Sequence, residues 1–127
     1  MAAAFLQAGA AKVILTARNE GGLKEAATQL NAIDGIPGKA TYIVANVGRP
    51  EGLDAFVQNL KAELGNGKLD ILVNNAGASW AGLFEEYEDW KVAKTLDVNV
   101  RAVFNVTARS ASLYHVQSNK GKRLTYY

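Results

Sequence analysis

Apolar residues follow two alternating patterns along this chain, and the patterns predict strands and helices in turn. Short apolar runs rich in β-branched residues predict strands at 12–18, 41–47 and 69–73. Apolar positions three and four residues apart predict helices at about 1–10, 19–34, 50–64 and 85–113. Strands that alternate with helices of this length indicate right-handed βαβ units, so we predict an α/β fold with a parallel sheet.

Three of these helices have a predicted core-facing side. Asn19 is a suitable N-cap for the second helix, and Pro50 fits the first turn of the third. Acidic residues at 85–89 favour a helix start there, because they lie near its positive end. The predicted core-facing residues are Leu23, Ala26, Ala27, Leu30 and Ile33, then Leu53, Phe56, Val57, Leu60 and Leu64, then Trp90, Ala93, Leu96, Val100, Val103 and Thr107.

The segment 69–77 combines a predicted buried strand with a polar loop. Two asparagines, Asn74 and Asn75, follow the apolar run, and their side chains can bond nearby backbone. Gly77 then tolerates a positive φ and the close approach of another molecule. In open α/β sheets ligands lie just beyond the carboxyl ends of the strands, so this loop is a candidate ligand site. An ordinary connection between a strand and a helix is the alternative.

Composition narrows the class of protein. The 127 residues, 49% apolar and 20% charged, suit one globular domain. The chain has no cysteine and one histidine, His115, which excludes disulfides, a thiol nucleophile and a His-rich or Cys-based metal site. No apolar run approaches the length of a membrane span, and no basic start precedes the apolar residues near the N-terminus. We therefore predict a cytoplasmic protein with no metal and no membrane partner.

The net charge of +2 is unevenly distributed. The last thirteen residues contain Lys120, Lys122 and Arg123 and no acid. We predict a globular region at 1–114 and a basic tail at 115–127. Three charges without aromatic platforms along a groove are a weak nucleic-acid signature, so we predict a solvated tail and no nucleic-acid partner.

Two sequence motifs, about twenty residues apart, resemble motifs of the short-chain dehydrogenase/reductase family. The sequence Asn-Asn-Ala-Gly at 74–77, after the run at 69–73, resembles the NNAG motif of that family. The sequence Asp-Val-Asn-Val at 97–100 resembles the surroundings of its catalytic asparagine. The resemblance covers roughly 1–113, and 74–80 is similar to 3-oxoacyl-[acyl-carrier-protein] reductases of the rhamnolipid type. It implies a Rossmann-type NAD(P)-binding domain and an enzyme that delivers hydride to a ketone such as a 3-oxoacyl thioester.

The resemblance also implies roles for individual residues. Asn74, Ala76 and Gly77 would line the cofactor, with their backbone beside the ribose and nicotinamide. Asn99 would be the catalytic asparagine that helps to hold a water in a proton relay. Val92, Leu96 and Val103 share the predicted helix side of Asn99, where a polar amide would need partners. An exposed or core-satisfied asparagine is the alternative.

Arg18, Asn46 and Val47 would lie on the adenosine side of the cofactor. A guanidinium can grip a 2′-phosphate bidentately, whereas NAD-specific sites prefer an acid for the 2′-hydroxyl, so Arg18 favours NADP(H) over NAD(H). A solvated arginine is the alternative. Asn46 stands where the family commonly has an aspartate that reads the adenine amino group, and its amide can still accept that bond.

Two departures from the family pattern bear on activity. The glycine-rich turn of the first strand is missing, and no Tyr-x-x-x-Lys follows Asn99. Tyr87 and Lys91 have the right spacing, but they precede Asn99, and neighbouring carboxylates would oppose a lowered tyrosine pKa. We therefore predict an incomplete doubly wound sheet that lacks the first strand and the C-terminal half. We expect a catalytically inert truncated product or partial gene model.

Topology sharpens this expectation. In the usual strand order 3-2-1-4-5-6, the missing first strand lies between the predicted strands 12–18 and 69–73. These two strands should either pair directly or leave unpaired edges. The alternative function is a non-catalytic interaction module that docks on a full-length relative, or on a second copy, through the helix at 85–113. For the enzyme, the implied partner is a small carbonyl or alcohol substrate.

Overall fold

The computed structural model describes residues 1–114, which form a parallel two-stranded sheet with helices on both faces. Strands β1 (Lys12–Ala17) and β2 (Lys39–Val44) pair from Lys12 opposite Lys39 to Ala17 opposite Val44. The α-helices are α1 (Ala2–Gln7), α2 (Glu20–Asn31), α3 (Leu53–Leu64), α4 (Asp89–Leu96) and α5 (Ala102–Ser110). This partial Rossmann-like arrangement confirms the predicted α/β class. The predicted tail, 115–127, lies outside the described residues.

Local signals set the ends of the first helices. Gly9, with φ of 97°, follows α1 in a conformation that glycine adopts easily. The Asn19 side chain accepts a hydrogen bond from the Gly22 N–H at 3.2 Å, which confirms the predicted cap of α2. Pro50 opens a 3₁₀ turn, Pro50–Gly52, that leads directly into α3.

Two apolar clusters cover opposite faces of the sheet. On one face, Leu6 of α1 and Ala27 of α2 pack with Ala40, Val13 and Leu15. On the other face, four residues of α3 and one of α5 pack with Ile43 and Ile14. These helix residues are Leu53, Phe56, Val57, Leu60 and Val106. The predicted side of α3 is therefore confirmed, and each of its fully buried side chains contributes about 1.5–3 kcal/mol.

The segment 69–73 is not a regular strand, so that prediction is wrong. Its link to a neighbour is an isolated parallel bridge between Leu69 and Tyr114, in which the Leu69 N–H donates to the Leu113 carbonyl at 2.9 Å. A strand requires a continuous ladder of bonds to a neighbour, and β1 does not pair with this segment. Ile71 and Val73 are consequently exposed.

The predicted strand ends also shift. β2 covers Lys39–Val44 rather than 41–47, which places Asn46 and Val47 in the loop after the strand. β1 ends at Ala17, so Arg18 is the first residue beyond it. Both shifts move candidate site residues into loops.

The predicted helix at 85–113 is divided, and its predicted core-facing side is wrong. Phe84–Glu86 forms a separate 3₁₀ turn, and Asp97–Arg101 forms a π turn between α4 and α5. A π turn adds a residue to the helix and rotates the following face, so apolar spacing counted across it loses phase. Trp90, Leu96 and Val100 are 53%, 56% and 60% exposed. The buried positions are Ala102, Val106 and Ser110.

Within residues 1–114, no helix is long and apolar enough to cross a membrane. The same residues contain no group of three or more acidic or histidine side chains that could hold a metal ion.

Candidate cofactor site

The loops that follow β1 and β2 lie side by side at one end of the sheet. The strands are paired to their last residues, and the Ala45 N–H extends the ladder by donating to the Ala17 carbonyl at 2.9 Å. Arg18 is the next residue after Ala17, and Asn46 is the next after Ala45. The structure therefore brings together the positions of two of the three residues predicted for the adenosine side, and the third, Val47, follows Asn46 in the same loop.

The side chains of Arg18 and Asn46 are available to a ligand. Arg18 is exposed, and its guanidinium makes no hydrogen bond or ion pair within residues 1–114. Asn46 is partly buried, and its amide has no hydrogen-bond partner in that part of the chain. Val47 is partly buried and packs against the apolar cluster that contains the α3 residues, which holds this loop on the core. A free guanidinium can donate to a phosphate, and a free amide can hydrogen-bond a purine.

The loop 74–78 is held to the helices by side-chain amides. Asn74 donates from Nδ2 to the Thr107 hydroxyl of α5 at 3.0 Å. The backbone groups of Ala76 and Gly77, both exposed, make no hydrogen bond within the described residues. The loop thus presents unpaired N–H and C=O groups to solvent while its ends are fixed.

Gly77 does not use the freedom predicted for it. Its φ is not positive, and a Cβ placed there would meet the Asn99 Oδ1 at 3.6 Å, an ordinary contact. The fold of this chain therefore tolerates a side chain at this position. Close approach of a ligand remains the reason to expect glycine here.

Asn99 lies in the π turn and clamps the same loop. Its Nδ2 donates to the Ala78 carbonyl at 2.9 Å, and its Oδ1 accepts from the Ala78 N–H at 2.8 Å. The amide is satisfied by backbone, although Asn99 and the predicted neighbours Val92 and Leu96 are exposed rather than buried. Asn99 therefore positions the loop 74–78 directly.

The loop after β2 contacts the same helix. A Cβ at Gly48 would lie 3.0 Å from Val98 Cγ2, so this buried glycine allows the loop to pack against the π turn. The Lys94 ammonium lies nearby, 3.7 Å from the same position. Because Val98 and Asn99 are adjacent, the π turn fixes both site loops.

Sequence reasoning missed several residues that support these loops: Gly48, Lys94, Val98, Thr107 and Ala78. The contacts of Gly48 and Val98 join segments about fifty residues apart across a π turn, and local spacing gives no signal for them. Thr107 was predicted to face the core. Its hydroxyl, at helical spacing among apolar residues, was the one signal in the sequence that this position could bond a polar side chain such as Asn74.

Tyr87 and Lys91 belong to an aromatic cluster beside the site. The Tyr87 hydroxyl donates to the Trp80 carbonyl at 3.0 Å, and the Trp80 and Trp90 rings meet edge-on at 5.4 Å. The Lys91 ammonium pairs with Glu88 at 2.6 Å and lies 6.0 Å from the Tyr87 ring centroid. Both polar groups are engaged elsewhere, which supports the rejection of Tyr87 and Lys91 as a catalytic pair.

The Glu88 carboxyl is bonded by two residues of this aromatic cluster, Lys91 and Trp90. A hydrogen bond from Lys91, then one from Trp90, and then the charge of Lys91 lower the pKa of the Glu88 carboxyl below its ordinary value.

Comparison with known proteins places this geometry in a family. The family model of the short chain dehydrogenases matches residues 1–122. The chain is 36% identical over 105 residues to the rhamnolipids biosynthesis 3-oxoacyl-[acyl-carrier-protein] reductase of Pseudomonas aeruginosa, covering 83% of this chain and 38% of the relative. It is 34% identical over 102 residues to a 3-oxoacyl-[acyl-carrier-protein] reductase of Salmonella typhimurium, covering 80% and 38%.

Solved structures agree with these matches. The fold is similar to the RhlG/NADP active-site complex of Pseudomonas aeruginosa, with a TM-score of 0.78 and 35% identity over 88% of this chain and 41% of that one. It is also similar to L-sorbose reductase from Gluconobacter frateurii complexed with NADPH and L-sorbose. For that structure the TM-score is 0.72 and the identity 29%, over 87% of this chain and 41% of that one. The chain thus spans about two fifths of the length of these relatives. On the match over residues 1–122, this chain belongs to the short chain dehydrogenase family of oxidoreductases.

Proposed function

We propose that this chain is the nucleotide-binding part of an NADP(H)-dependent oxidoreductase that reduces a ketone such as a 3-oxoacyl thioester. The observation that carries the proposal is that Arg18 and Asn46, whose side chains have no partner within residues 1–114, follow the ends of two paired strands. Ligands of open α/β sheets bind at this end.

Arg18 would select the cofactor. Its guanidinium can donate two parallel hydrogen bonds to a 2′-phosphate, and the first acid after β1, Glu20, lies inside α2. The neighbouring Asn19 already uses its side-chain oxygen to cap α2, which leaves Arg18 as the recognition group. Asn46 would accept a hydrogen bond from the adenine amino group, and Val47 would border the same loop.

The loop 74–78 and the π turn would hold the reactive end of the cofactor. The free backbone groups of Ala76 and Gly77 would contact the ribose and nicotinamide, while the bonds of Asn74 to Thr107 and of Asn99 to Ala78 keep the loop in place. Both polar atoms of the Asn99 side chain are bonded already. A water at Asn99 would therefore be held through the second N–H of Nδ2, the remaining lone pair of Oδ1 or the backbone carbonyl.

The bound cofactor would supply hydride to the carbonyl carbon of the substrate. This chain would bind and orient the cofactor, but no Tyr-x-x-x-Lys follows Asn99 to protonate the carbonyl oxygen. We therefore expect the 127 residues alone to be catalytically inert. The proposed 3-oxoacyl class rests on the names of relatives that are about one third identical.

Cofactor preference tests this proposal. We expect the chain to bind NADPH about tenfold more tightly than NADH, measured by nicotinamide fluorescence, because two charge-assisted bonds favour the 2′-phosphate. The Arg18→Gln variant should lose this preference. Arg101→Gln, which removes an exposed arginine already paired with Asp97, should keep it. Equal affinities of the unmodified chain for the two cofactors would contradict the proposal.

An interaction module is the second candidate function, and one observation favours it. Four exposed apolar residues, Val92, Leu96, Val100 and Phe104, follow one another as a stripe along α4, the π turn and α5, and Phe104 is 73% exposed. Exposed apolar stripes of this kind mark protein contacts. The stripe could dock on a second copy or a full-length relative.

Two binding measurements separate these candidates. Binding of the chain to a full-length relative, abolished by Val100→Glu and unaffected by NADPH, would favour the module. A preference for NADPH that Arg18→Gln removes would favour the nucleotide-binding part of an oxidoreductase, and NADPH oxidation with a 3-oxoacyl thioester would contradict the expected inertness of the isolated chain.

A further inference from the structure

The outer edge of β2 is covered at its first residues by a side chain of α2. Asn31, the last residue of α2, donates from Nδ2 to the Ala40 carbonyl at 2.9 Å and accepts from the Ala40 N–H at 2.8 Å. These are the two bonds that a residue of a neighbouring strand would make. The Asn31 amide therefore closes the edge at Ala40.

Beyond Ala40 the same edge is open. The Ala45 N–H donates to the Ala17 carbonyl, so the odd-numbered residues of β2 face β1. Backbone groups alternate along a strand, which points the N–H and C=O of Tyr42 and Val44 away from β1. Within residues 1–114, these groups have no hydrogen-bond partner. In the strand order 3-2-1-4-5-6 of doubly wound sheets, the strand at the position of β2 is the outermost one.

This open edge lies in a groove between α2 and α3. The groove has two adjoining halves of about 380 and 330 Å³, and Tyr42 and Glu63 border both. Side chains of the two helices form its walls: Lys24, Thr28 and Asn31 on the α2 side, and Asn59, Ala62 and Glu63 on the α3 side. The groove is therefore long and narrow, with the backbone of β2 along its floor.

The two walls differ in the charge that they offer to a ligand. On the α2 wall, the exposed Lys24 ammonium makes no hydrogen bond or ion pair within residues 1–114. On the α3 wall, the Glu63 carboxylate accepts from the Thr41 hydroxyl at 3.1 Å and pairs with Lys12 at 3.5 Å. The unpaired charge of the groove is consequently positive and lies on the α2 wall.

We propose that this groove binds an extended peptide segment of a partner protein, which joins the sheet as an antiparallel strand beside β2 and places a carboxylate against Lys24. Antiparallel pairs are slightly more stable per residue than parallel ones, and the peptide residue opposite Tyr42 would exchange two hydrogen bonds with it. This is β-augmentation at the outer edge of a sheet.

The side-chain directions of β2 define the sequence that fits. Tyr42 packs against the apolar cluster that contains Ala27 of α2, and directly opposite residues share one face of a sheet. The peptide residue opposite Tyr42 therefore points to the α2 wall and is acidic, because Lys24 lies there. The residues on either side of it point to the α3 wall and are small and apolar, because Ala62 lines that side.

A second copy of this chain fits the edge less well. An antiparallel pair of identical edges places α2 of one copy beside α2 of the other, so Lys24 faces Lys24 and Glu63 faces Glu63. Like charges on facing positions are destabilising. Because Asn31 closes the edge at Ala40, such a pair would also have only a short ladder between its copies.

Amide hydrogen exchange on the ¹⁵N-labelled 127-residue chain tests the groove. The probe is a blocked peptide of about seven residues, made of valine and threonine with one central glutamate. At saturation we expect it to slow exchange at Tyr42 and Val44 by about tenfold, because these N–H groups gain partners. The Ala40 N–H, already bonded to Asn31, is the internal control and should change little.

The same peptide with an N-methylated glutamate is the matched control, because it keeps the charge and cannot donate to the Tyr42 carbonyl. Slowing by the unmethylated peptide alone supports the groove. No slowing, or equal slowing by the methylated peptide, overturns the proposal. Slowing at Tyr42 and Val44 that rises with chain concentration in the absence of peptide assigns the edge to a second copy and also overturns it.

Charge reversal tests the recognition of the carboxylate. Lys24→Glu should weaken binding of the glutamate peptide about fivefold, and a peptide with lysine in place of the glutamate should regain that loss. Lys61→Glu, which reverses an exposed lysine of α3 outside the groove, should leave the affinity unchanged. Equal affinities of the unmodified and Lys24→Glu chains for the glutamate peptide would contradict the proposed role of Lys24. The proposal does not rest on nucleotide binding, so all measurements are made without cofactor.

Discussion

Asn99 shows how one side chain connects a helix to a site loop. Its amide makes both hydrogen bonds to the backbone of Ala78, and the π turn directs it there. Without Asn99, water would bond the backbone of this loop. Because the Asn99 bonds only replace bonds to water, they fix the position of 74–78 with a small net gain in stability. The residue therefore acts first as a positioning group.

Asn99→Ala should lower the free energy of unfolding by about 1–2 kcal/mol, because two hydrogen bonds of ordinary net value are lost. Urea denaturation followed by circular dichroism measures this change. Asn99→Asp is the matched variant, since a carboxylate still accepts from the Ala78 N–H but cannot donate to its carbonyl. An Asn99→Ala chain as stable as the unmodified chain would contradict the clamp.

Glu88 provides a pH-dependent test of the aromatic cluster. Its pKa is lowered by Lys91 first and then by Trp90, so the folded form binds a proton less readily than the unfolded form. The stabilising contribution is therefore present above the unfolded pKa of Glu88 and is lost as pH falls through the lower folded pKa. Because the carboxyl is exposed to solvent, the contribution to stability is small.

The titration of Glu88 can be followed by the NMR shift of its side-chain carboxyl carbon. We expect a midpoint below that of an ordinary glutamate in the unmodified chain. Lys91→Met should move the midpoint upward, whereas Lys94→Met, a neighbouring lysine in the same helix, should leave it unchanged. Identical midpoints in the unmodified and Lys91→Met chains would argue against the pair.

At the scale of elements, the predictions that succeeded depend on local signals. The cap by Asn19 and the spacing of Leu53, Phe56, Val57 and Leu60 are contained within single helices, and the structure confirms them. The segment 69–73 failed because a strand needs a partner that its own residues do not supply. The core side of α4 and α5 failed because the π turn changes the phase between them.

In the candidate site, too, some features could be predicted from the sequence and others depend on contacts between distant elements. The family resemblance implied Arg18 and Asn46, and the paired strands β1 and β2 bring these two positions to one edge of the sheet. The contacts of Asn74 with Thr107 and of Gly48 with Val98 depend on how distant elements pack, so spacing could not predict them.

Ser110 offers a test of packing in α5. Its hydroxyl is fully buried and has no hydrogen-bond partner within the described residues. A buried unsatisfied hydroxyl costs about 1–3 kcal/mol, so Ser110→Ala should raise the free energy of unfolding by about 1 kcal/mol in thermal or urea denaturation. Ser112→Ala, at an exposed position in the 3₁₀ turn that follows α5, is the control for exchanging a nearby serine for alanine. A destabilised Ser110→Ala chain would show that the hydroxyl has a partner in solution.

For the whole molecule, the described residues form a partial sheet that carries the proposed adenosine side of a nucleotide site. Two apolar clusters support β1 and β2 from both faces, and the π turn fixes the loops that follow β2 and the segment 69–73. The chain spans about two fifths of the length of its relatives. Its own contribution is accordingly expected on the adenosine side, where Arg18, Asn46 and Val47 come together.

The most direct test of this account is an NMR titration of the ¹⁵N-labelled chain with adenosine 2′,5′-bisphosphate, which carries the 2′-phosphate but no nicotinamide. We predict amide shift changes that centre on Arg18, Asn46 and Val47, and binding about tenfold weaker for adenosine 5′-monophosphate. Arg18→Gln should remove that difference. Shift changes confined to other parts of the chain, or equal binding of the two nucleotides, would contradict the assignment of this end of the sheet as an NADP(H) site.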